Sequence, residues 1–265
     1  MSDALSALAA EPQRTGLFLD FDGTLSEIVH IPTEARPVAG VPDLLKQLST
    51  IFKVVAVVSG RAAGQLAEWL GPDIEIWGVH GAESIVDGAV TPSEWAKPYE
   101  ELMRRVLKEA EDGLAALGAE GAVLEDKGVI INLHFRAATD PDAAEAALER
   151  LAHDLADRHG LLVAKGRMSY ELRAPADFSK AAVVLARARA ESLDAIAFVG
   201  DDRVDLPGFD ALDQLAEEGA STTCRVAVRS DEAPEDLLDR ADVVLDGPAG
   251  AVAWLEDLLD DVRRG

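Results

Sequence analysis

Three stretches of the chain are apolar at nearly every position and stop abruptly on a polar residue. Gly16 to Leu19 stops on Asp20, residues 52–58 (Phe-Lys-Val-Val-Ala-Val-Val) stop on Ser59, and Ala195 to Val199 stops on Gly200-Asp201. Short unbroken runs rich in β-branched and aromatic residues are the mark of strands covered on both faces in a parallel sheet. A shorter run, residues 74–79, leads to His80-Gly81-Ala82-Glu83, and residues 225–228 and 243–245 have the same character. Helical periodicity lies between the runs, over residues 41–48, 62–70, 179–190 and 251–262. A Pro-punctuated loop from Ile31 to Pro37 follows the first strand. Strand alternating with helix predicts an α/β fold, a doubly wound and mostly parallel sheet core.

Around Thr91 the pattern changes. Residues 93–117 read as one long amphipathic helix, with Leu102, Val106, Leu107 and Ala110 at helical spacing. Residues 122–125 then turn at Asp126-Lys127-Gly128 into residues 129–136, where Val129, Ile131, Leu133 and Phe135 alternate with Asn132, His134 and Arg136. A second helix, residues 141–159, precedes a second hairpin, in which residues 161–164 turn at Lys165-Gly166-Arg167 into residues 168–173. Period-two alternation belongs to antiparallel sheets with one wet face, so this segment is an α+β module of another kind. The expected division is a core made of residues 1–90 and 176–265, with an inserted cap domain at residues 91–175.

The composition narrows the partners. Against 25 Lys and Arg stand 49 Asp and Glu, a net charge of −24. Such a surface repels nucleic acid and anionic lipid, so neither a polynucleotide nor a membrane partner is expected. It also repels phosphorylated molecules, which makes local cations or a bound metal necessary at any phosphate site. The first fifteen residues lack the basic and apolar pattern of a signal peptide, and no apolar run reaches membrane-spanning length. A single cysteine, Cys224, leaves no internal disulfide. The expectation is a cytoplasmic protein with no obligate protein partner.

Strand ends on one edge of an open α/β sheet are where ligands bind, and Asp20, Ser59 and Asp201 are all strand ends. Asp20 and Asp22 are two apart in an extended segment and point the same way. One carboxylate could attack a phosphorus atom while the other trades protons with the leaving oxygen and with water. Asp20 and Asp201, with a backbone carbonyl near Asp22, offer the hard oxygen ligands that Mg²⁺ prefers. Ser59 would donate to a phosphate oxygen, and Lys180 would add a positive charge. Each feature has a plainer alternative: Asp-x-Asp and Ser-Gly occur at turns, paired aspartates cap helices, and lysines coat surfaces.

These motifs together resemble the haloacid dehalogenase superfamily. Asp20-Phe21-Asp22-Gly23-Thr24-Leu25, Ser59, Lys180 and Gly200-Asp201-Asp202-Arg203-Val204-Asp205 correspond to its four motifs. Within it the chain is most similar to the trehalose-6-phosphate phosphatases, which share Ser59-Gly60-Arg61, His80-Gly81-Ala82-Glu83, Leu124 to Lys127, His134-Phe135-Arg136 and Glu171-Leu172-Arg173. The resemblance implies that Asp20 is the nucleophile, Asp22 the general acid/base, and Asp20, Asp22 (through its carbonyl) and Asp201 the Mg²⁺ ligands. It implies supporting roles for Asp202 and Asp205, and a mobile cap that reads the sugar. The last motif departs from the frequent Thr-Asp-Glu continuation, since Val204 precedes Asp205 and Leu206-Pro207 follow it.

Arg61, His80, Glu83, Glu125, Lys127, His134, Arg136, Glu171 and Arg173 are the expected substrate-binding residues. Glu125/Lys127, His134/Arg136 and Glu171/Arg173 are each two apart and project in pairs from one strand face, which suits hydroxyls and a dianion but equally suits a solvated sheet face. The expected activity is Mg²⁺-dependent hydrolysis of trehalose 6-phosphate through an aspartyl-phosphate. The rivals are another sugar phosphate (sucrose phosphate, mannosyl phosphoglycerate), a phosphomutase, or a non-catalytic sugar-phosphate sensor.

Overall fold

A computed structural model describes residues 3–29, 31–85, 88–166, 168–231 and 233–264. In chain order the elements are α1 (Asp3–Ala10), β1 (Thr15–Leu19), α2 (Val41–Ser49), β2 (Val54–Val58), α3 (Ala63–Leu70), β3 (Glu75–Gly78), β4 (Glu83–Ile85) and β5 (Thr91–Pro92). Then come α4 (Glu100–Leu117), β6 (Val123–Asp126), β7 (Ile130–His134), α5 (Pro141–His159), β8 (Leu162–Gly166) and β9 (Ser169–Arg173). The last stretch holds α6 (Lys180–Ala190), β10 (Ala195–Gly200), α7 (Leu206–Glu217), β11 (Thr222–Arg229), α8 (Glu235–Arg240), β12 (Val243–Asp246) and α9 (Gly247–Arg264). The chain divides into two compact units, residues 1–91 with 178–265, and residues 92–177.

The first unit is built on a sheet of order β12-β11-β10-β1-β2-β3-β4-β5, parallel from β12 to β3 and antiparallel between β3 and β4. Every residue of β1 and β2 is buried, as their unbroken apolar runs require. Alternate residues of four parallel strands (Leu17 and Leu19, Val55 and Val57, Ala197 and Val199, Val226 and Val228) share one core with Leu44, Leu45 and Leu48 of α2 and Trp254, Leu255 and Leu258 of α9. Opposite them, Phe198 meets Phe209 of α7 edge to face, centroids 6.2 Å apart. The register fixes the strand ends. Leu19 lies beside both Val199 and Val57, so the residues that follow β1, β2 and β10 emerge along one edge.

The second unit has a four-stranded antiparallel sheet of order β6-β7-β9-β8, with α4 and α5 packed on it. The helix expected from Ser93 starts at Glu100, behind a short 3-10 turn at Lys97–Tyr99. Pro98 accounts for the late start, because it lacks the N–H that a regular helix through this stretch would need. The buried stripe of α4 is Met103, Val106 and Ala110, while Leu102 and Leu107 are only half-buried. The first hairpin turns one residue later than expected, with Asp126 Oδ1 accepting the Gly128 N–H at 2.8 Å. β8 runs on through Gly166, and Arg167, expected in that turn, lies outside the described residues. Three helices went unread in the sequence, α1, α7 and α8. In α7, Pro207 stands in the first turn, where a missing N–H has no intrahelical partner to lose.

Candidate active site

Because Leu19 at the end of β1 pairs with Val199, one residue short of the end of β10, Asp20 and Asp201 leave the sheet at the same edge. Lys180 opens α6, whose N-terminus is capped by the Ser179 hydroxyl accepting from the Ala182 N–H at 3.2 Å. The Lys180 side chain is 2% exposed and its ammonium contacts Asp20 Oδ1 and donates to Asp205 Oδ1 at 2.5 Å. Asp205 Oδ2 accepts the N–H groups of Asp201 and Asp202 at 2.9 and 3.0 Å. Both oxygens of this fully buried carboxylate are therefore engaged. Two glycines make the approach possible: a Cβ on Gly200 would overlap the Asp205 side chain, and one on Gly23, whose φ is +77°, would overlap the Asp201 carboxylate. Thr24, which sequence reasoning quoted only as part of a motif, donates to Asp201 Oδ1 at 3.4 Å.

The electrostatics of this cluster are unbalanced. Burial raises the Asp20 carboxyl well above the usual range against the pull of Lys180, with Asp205 and Asp201 pushing the same way as burial. Burial, together with the neighbouring Asp205 charge, pushes Asp201 up to about 7. Burial acts to lower Lys180, but Asp20 and Asp205 outweigh it and its pKa is raised. If all three are ionised, the three buried carboxylates face one ammonium with an excess of two negative charges, and the raised pKa values of Asp20 and Asp201 express their burial together with that repulsion. Asp20, Asp201 and Asp205 each bring one oxygen within 4.8 Å of the others. Hard donors and a surplus of two charges fit a divalent cation that prefers oxygen. With both Asp205 oxygens engaged by three donors, the more open ligand oxygens are those of Asp20 and Asp201.

Asp20, Asp22, Ser59, His80, Lys180, Asp201 and Asp202 line one cavity of about 350 Å³. Three expected site residues of the first unit, Arg61, Glu83 and Asp205, do not line it. Arg61 holds the Asp22 carboxylate with two parallel bonds of 2.7 Å, from Nε–H to Oδ2 and from Nη2–H to Oδ1. Glu83 Oε2 accepts the Ala63 N–H at 2.9 Å and so caps α3. Asp205 lies buried behind the strand ends, as described above. With both oxygens of its carboxylate bonded to Arg61, Asp22 offers its main-chain carbonyl as a candidate metal ligand. The loop after Ser59 is tightly drawn: the Ser59 N–H donates to Trp77 O at 2.9 Å, the Arg61 N–H to Ser59 Oγ at 3.2 Å, and the His80 N–H to Ser59 O at 2.9 Å. Asp202 caps the 3-10 turn Arg203–Asp205, its Oδ1 accepting the Arg203 N–H at 2.6 Å.

In the second unit, Glu125, Asn132 and Glu171 lie side by side across β6, β7 and β9. Glu125 Oε2 accepts from Asn132 Nδ2 at 3.0 Å, is 3.1 Å from His134 Nε2 and pairs with Lys127 at 3.4 Å. Burial pushes the Glu125 carboxyl up, but these hydrogen bonds and the Lys127 charge outweigh it and hold it below its ordinary value. Asn132, expected on the wet face, is 4% exposed, and its Oδ1 has no hydrogen-bond partner. Arg136, Glu171 and Arg173 have no ion-pair partner among the described residues.

The profile of the family described as Trehalose-phosphatase matches residues 18–241, most of the chain. The chain belongs to the trehalose-phosphatase family. A relative from Mycolicibacterium paratuberculosis, a trehalose-phosphate phosphatase, is 33% identical over 94% of this chain, and one from Mycobacterium marinum is 35% identical over 80% of it. These alignments span 63% and 56% of those relatives, so this trehalose-phosphatase family member covers less than two thirds of their length. A solved trehalose-6-phosphate phosphatase related protein superposes with a TM-score of 0.70 at 21% identity, covering 94% of this chain and 99% of that one. The C-terminal domain of the Candida albicans trehalose-6-phosphate phosphatase gives 0.66 at 23% identity, covering 98% and 97%. A haloacid dehalogenase-like hydrolase from Bacteroides thetaiotaomicron gives 0.62 at 13%, covering 92% and 99%. At these identities the likeness is one of fold, and it is the haloacid dehalogenase-like fold. Among the described residues no helix is long and apolar enough to cross a membrane.

Proposed function

We propose that the chain hydrolyses the phosphate monoester of trehalose 6-phosphate with Mg²⁺ as cofactor, forming an aspartyl-phosphate on Asp20. The observation that carries this reading is the buried cluster of Asp20, Lys180, Asp201 and Asp205 opening into a cavity that Asp22 and Ser59 also line. Asp20 attacks phosphorus, the bond to the sugar oxygen breaks, and Asp22 gives that oxygen its proton. Water then attacks the same phosphorus, Asp22 takes the water's proton, and the Asp20 carboxylate is regenerated with release of phosphate. Lys180 and the Ser59 hydroxyl hold the phosphoryl oxygens, and Lys180 also orients Asp20. Mg²⁺ bound by Asp20, Asp201 and the Asp22 carbonyl would offset the charge of phosphate and carboxylates in this acidic protein. Residues of the second unit's polar face pair with sugar hydroxyls.

The deciding experiment incubates the protein and Mg²⁺ with a panel of phosphorylated sugars and measures free phosphate. Trehalose 6-phosphate is expected to be the preferred substrate. Preference for sucrose phosphate or mannosyl phosphoglycerate would refute the substrate, and silence across the panel would refute the activity. EDTA should stop turnover and Mg²⁺ restore it, whereas Ca²⁺ should bind and inhibit, because its longer bonds and larger coordination number capture both oxygens of Asp20. Full turnover in Ca²⁺ would contradict this role for the metal.

Asp22→Asn should lower the rate by about 10²- to 10⁴-fold, the share of a general acid/base. Unaltered turnover would move the proton transfer elsewhere. Glu171→Ala should leave a desolvated sugar hydroxyl unpaired, costing about 1 to 3 kcal/mol, or about 5- to 150-fold in kcat/KM for trehalose 6-phosphate. A small aryl phosphate should hardly register the change. Parallel losses on both esters would make Glu171 a structural support.

A further inference from the structure

Asp22 is far more exposed than the buried Asp20, Asp201 and Asp205, its side chain 42% accessible, yet it is held by a side chain that is only 12% accessible. That side chain, Arg61, is fixed on its flat faces as well as at its fork. Its Cζ lies 5.2 Å from the ring centre of Trp69 and 5.8 Å from that of Phe21, and the two rings stack at 5.4 Å with 27° between their planes. Nη1–H donates to Gln65 Oε1 at 3.4 Å. The same indole carries a second guanidinium, Arg36, whose Cζ is 5.2 Å from its centre. Of these groups only Asp22 lines the phosphate cavity.

A guanidinium laid on an aromatic face loses its freedom to rotate out of that plane, and its two parallel donors then determine where both carboxylate oxygens sit. An ionised carboxylate offers about four acceptor sites, of which this fork occupies two. The others remain for a proton in transit. We infer that Trp69 is a positioning residue for the reaction: by holding the face of Arg61 it fixes the Asp22 carboxylate relative to the leaving oxygen, without touching substrate. The inference rests on the proposed acid/base role of Asp22.

The test uses leaving groups. Trp69→Leu should lower kcat/KM for trehalose 6-phosphate by about 10- to 100-fold, the scale of a misplaced catalytic group. For 2,4-dinitrophenyl phosphate, whose leaving oxygen departs without a proton, the loss should stay within about threefold. Trp69→Phe keeps an aromatic face and should recover most of the loss. In an Asp22→Asn background Trp69→Leu should cost no more than about twofold, since a group acting only through Asp22 has nothing left to position. If Trp69→Leu precipitates, Arg61→Lys serves instead: lysine keeps the charge but not the stacked fork, and should show the same dependence on leaving group. Equal losses on both esters, or the same loss with and without the Asp22 carboxylate, would overturn the inference, as would no loss at all. If Asp22→Asn itself hits both esters equally, the acid role fails and the positioning role with it. If Asp22→Asn discriminates between the esters and Trp69→Leu does not, only the positioning role fails.

Discussion

Asp20→Asn is expected to release no phosphate from trehalose 6-phosphate above background, a loss on the order of 10⁶-fold, as when a covalent nucleophile is removed. The amide keeps the volume of the carboxylate but has no charged oxygen to attack phosphorus, and it cannot form the acyl phosphate. The fold should survive. Asp20 is one of three buried carboxylates facing a single ammonium, and burial already raises its pKa, so a neutral side chain there relieves repulsion from Asp201 and Asp205. Lys180 keeps its bond to Asp205. Two measurements check the assignment. Circular dichroism of the variant should match the parent, and acid quenching during turnover should trap a phosphoprotein with the parent and none with Asp20→Asn. Phosphate release by the pure, Mg²⁺-loaded variant would remove Asp20 from the nucleophile's role.

The sequence carried the core of this site where physics makes a pattern local. A strand buried on both faces must be apolar throughout, so the ends of β1, β2 and β10 were visible as the first polar residues after such runs, and parallel pairing brought Asp20, Ser59 and Asp201 to one edge. Side-chain partners are not local in this way. Lys180 meets Asp20 across 160 residues and Arg61 meets Asp22 across 39, and nothing in either segment's spacing encodes the pairing. Arg61 and Glu83 therefore read as ligand-facing, while in the fold one orients a neighbouring carboxylate and the other caps α3. Period-two alternation put Asn132 on a wet face, but the same row holds Glu125 and Glu171, and Glu125 takes the Asn132 amide under cover. Pro207 marked a departure from the frequent Thr-Asp-Glu continuation of the last motif, and no helix was read from the residues that follow it. At the first turn of α7 the proline interrupts nothing.

Asp205→Ala is expected to be the most damaging single change to stability, by roughly 3 to 5 kcal/mol, the range for breaking a buried charge pair. The carboxylate is fully buried and is the common acceptor for three donors: the Lys180 ammonium at 2.5 Å and the N–H groups of Asp201 and Asp202 at 2.9 and 3.0 Å. Alanine leaves both amides unpaired and the ammonium with Asp20 as its remaining partner. In a chain of this size the loss corresponds to a fall in Tm of about 10 °C. Asp205→Asn separates the contributions. Its carbonyl oxygen can still accept both amides, but its NH₂ group then faces the Lys180 ammonium, donor against donor, and the charge is gone. The asparagine variant should therefore melt between alanine and the parent, with the gap above alanine measuring the two amides at about 1 to 3 kcal/mol each at most. Activity should fall in both, because Lys180 is no longer held against Asp20 and the N–H groups that set the Asp201 main chain have lost or weakened their anchor. If Asp205→Ala melts with the parent, the cluster is not holding the strand ends together. The positions of Asp20 and Asp201 must then be set by the sheet register alone.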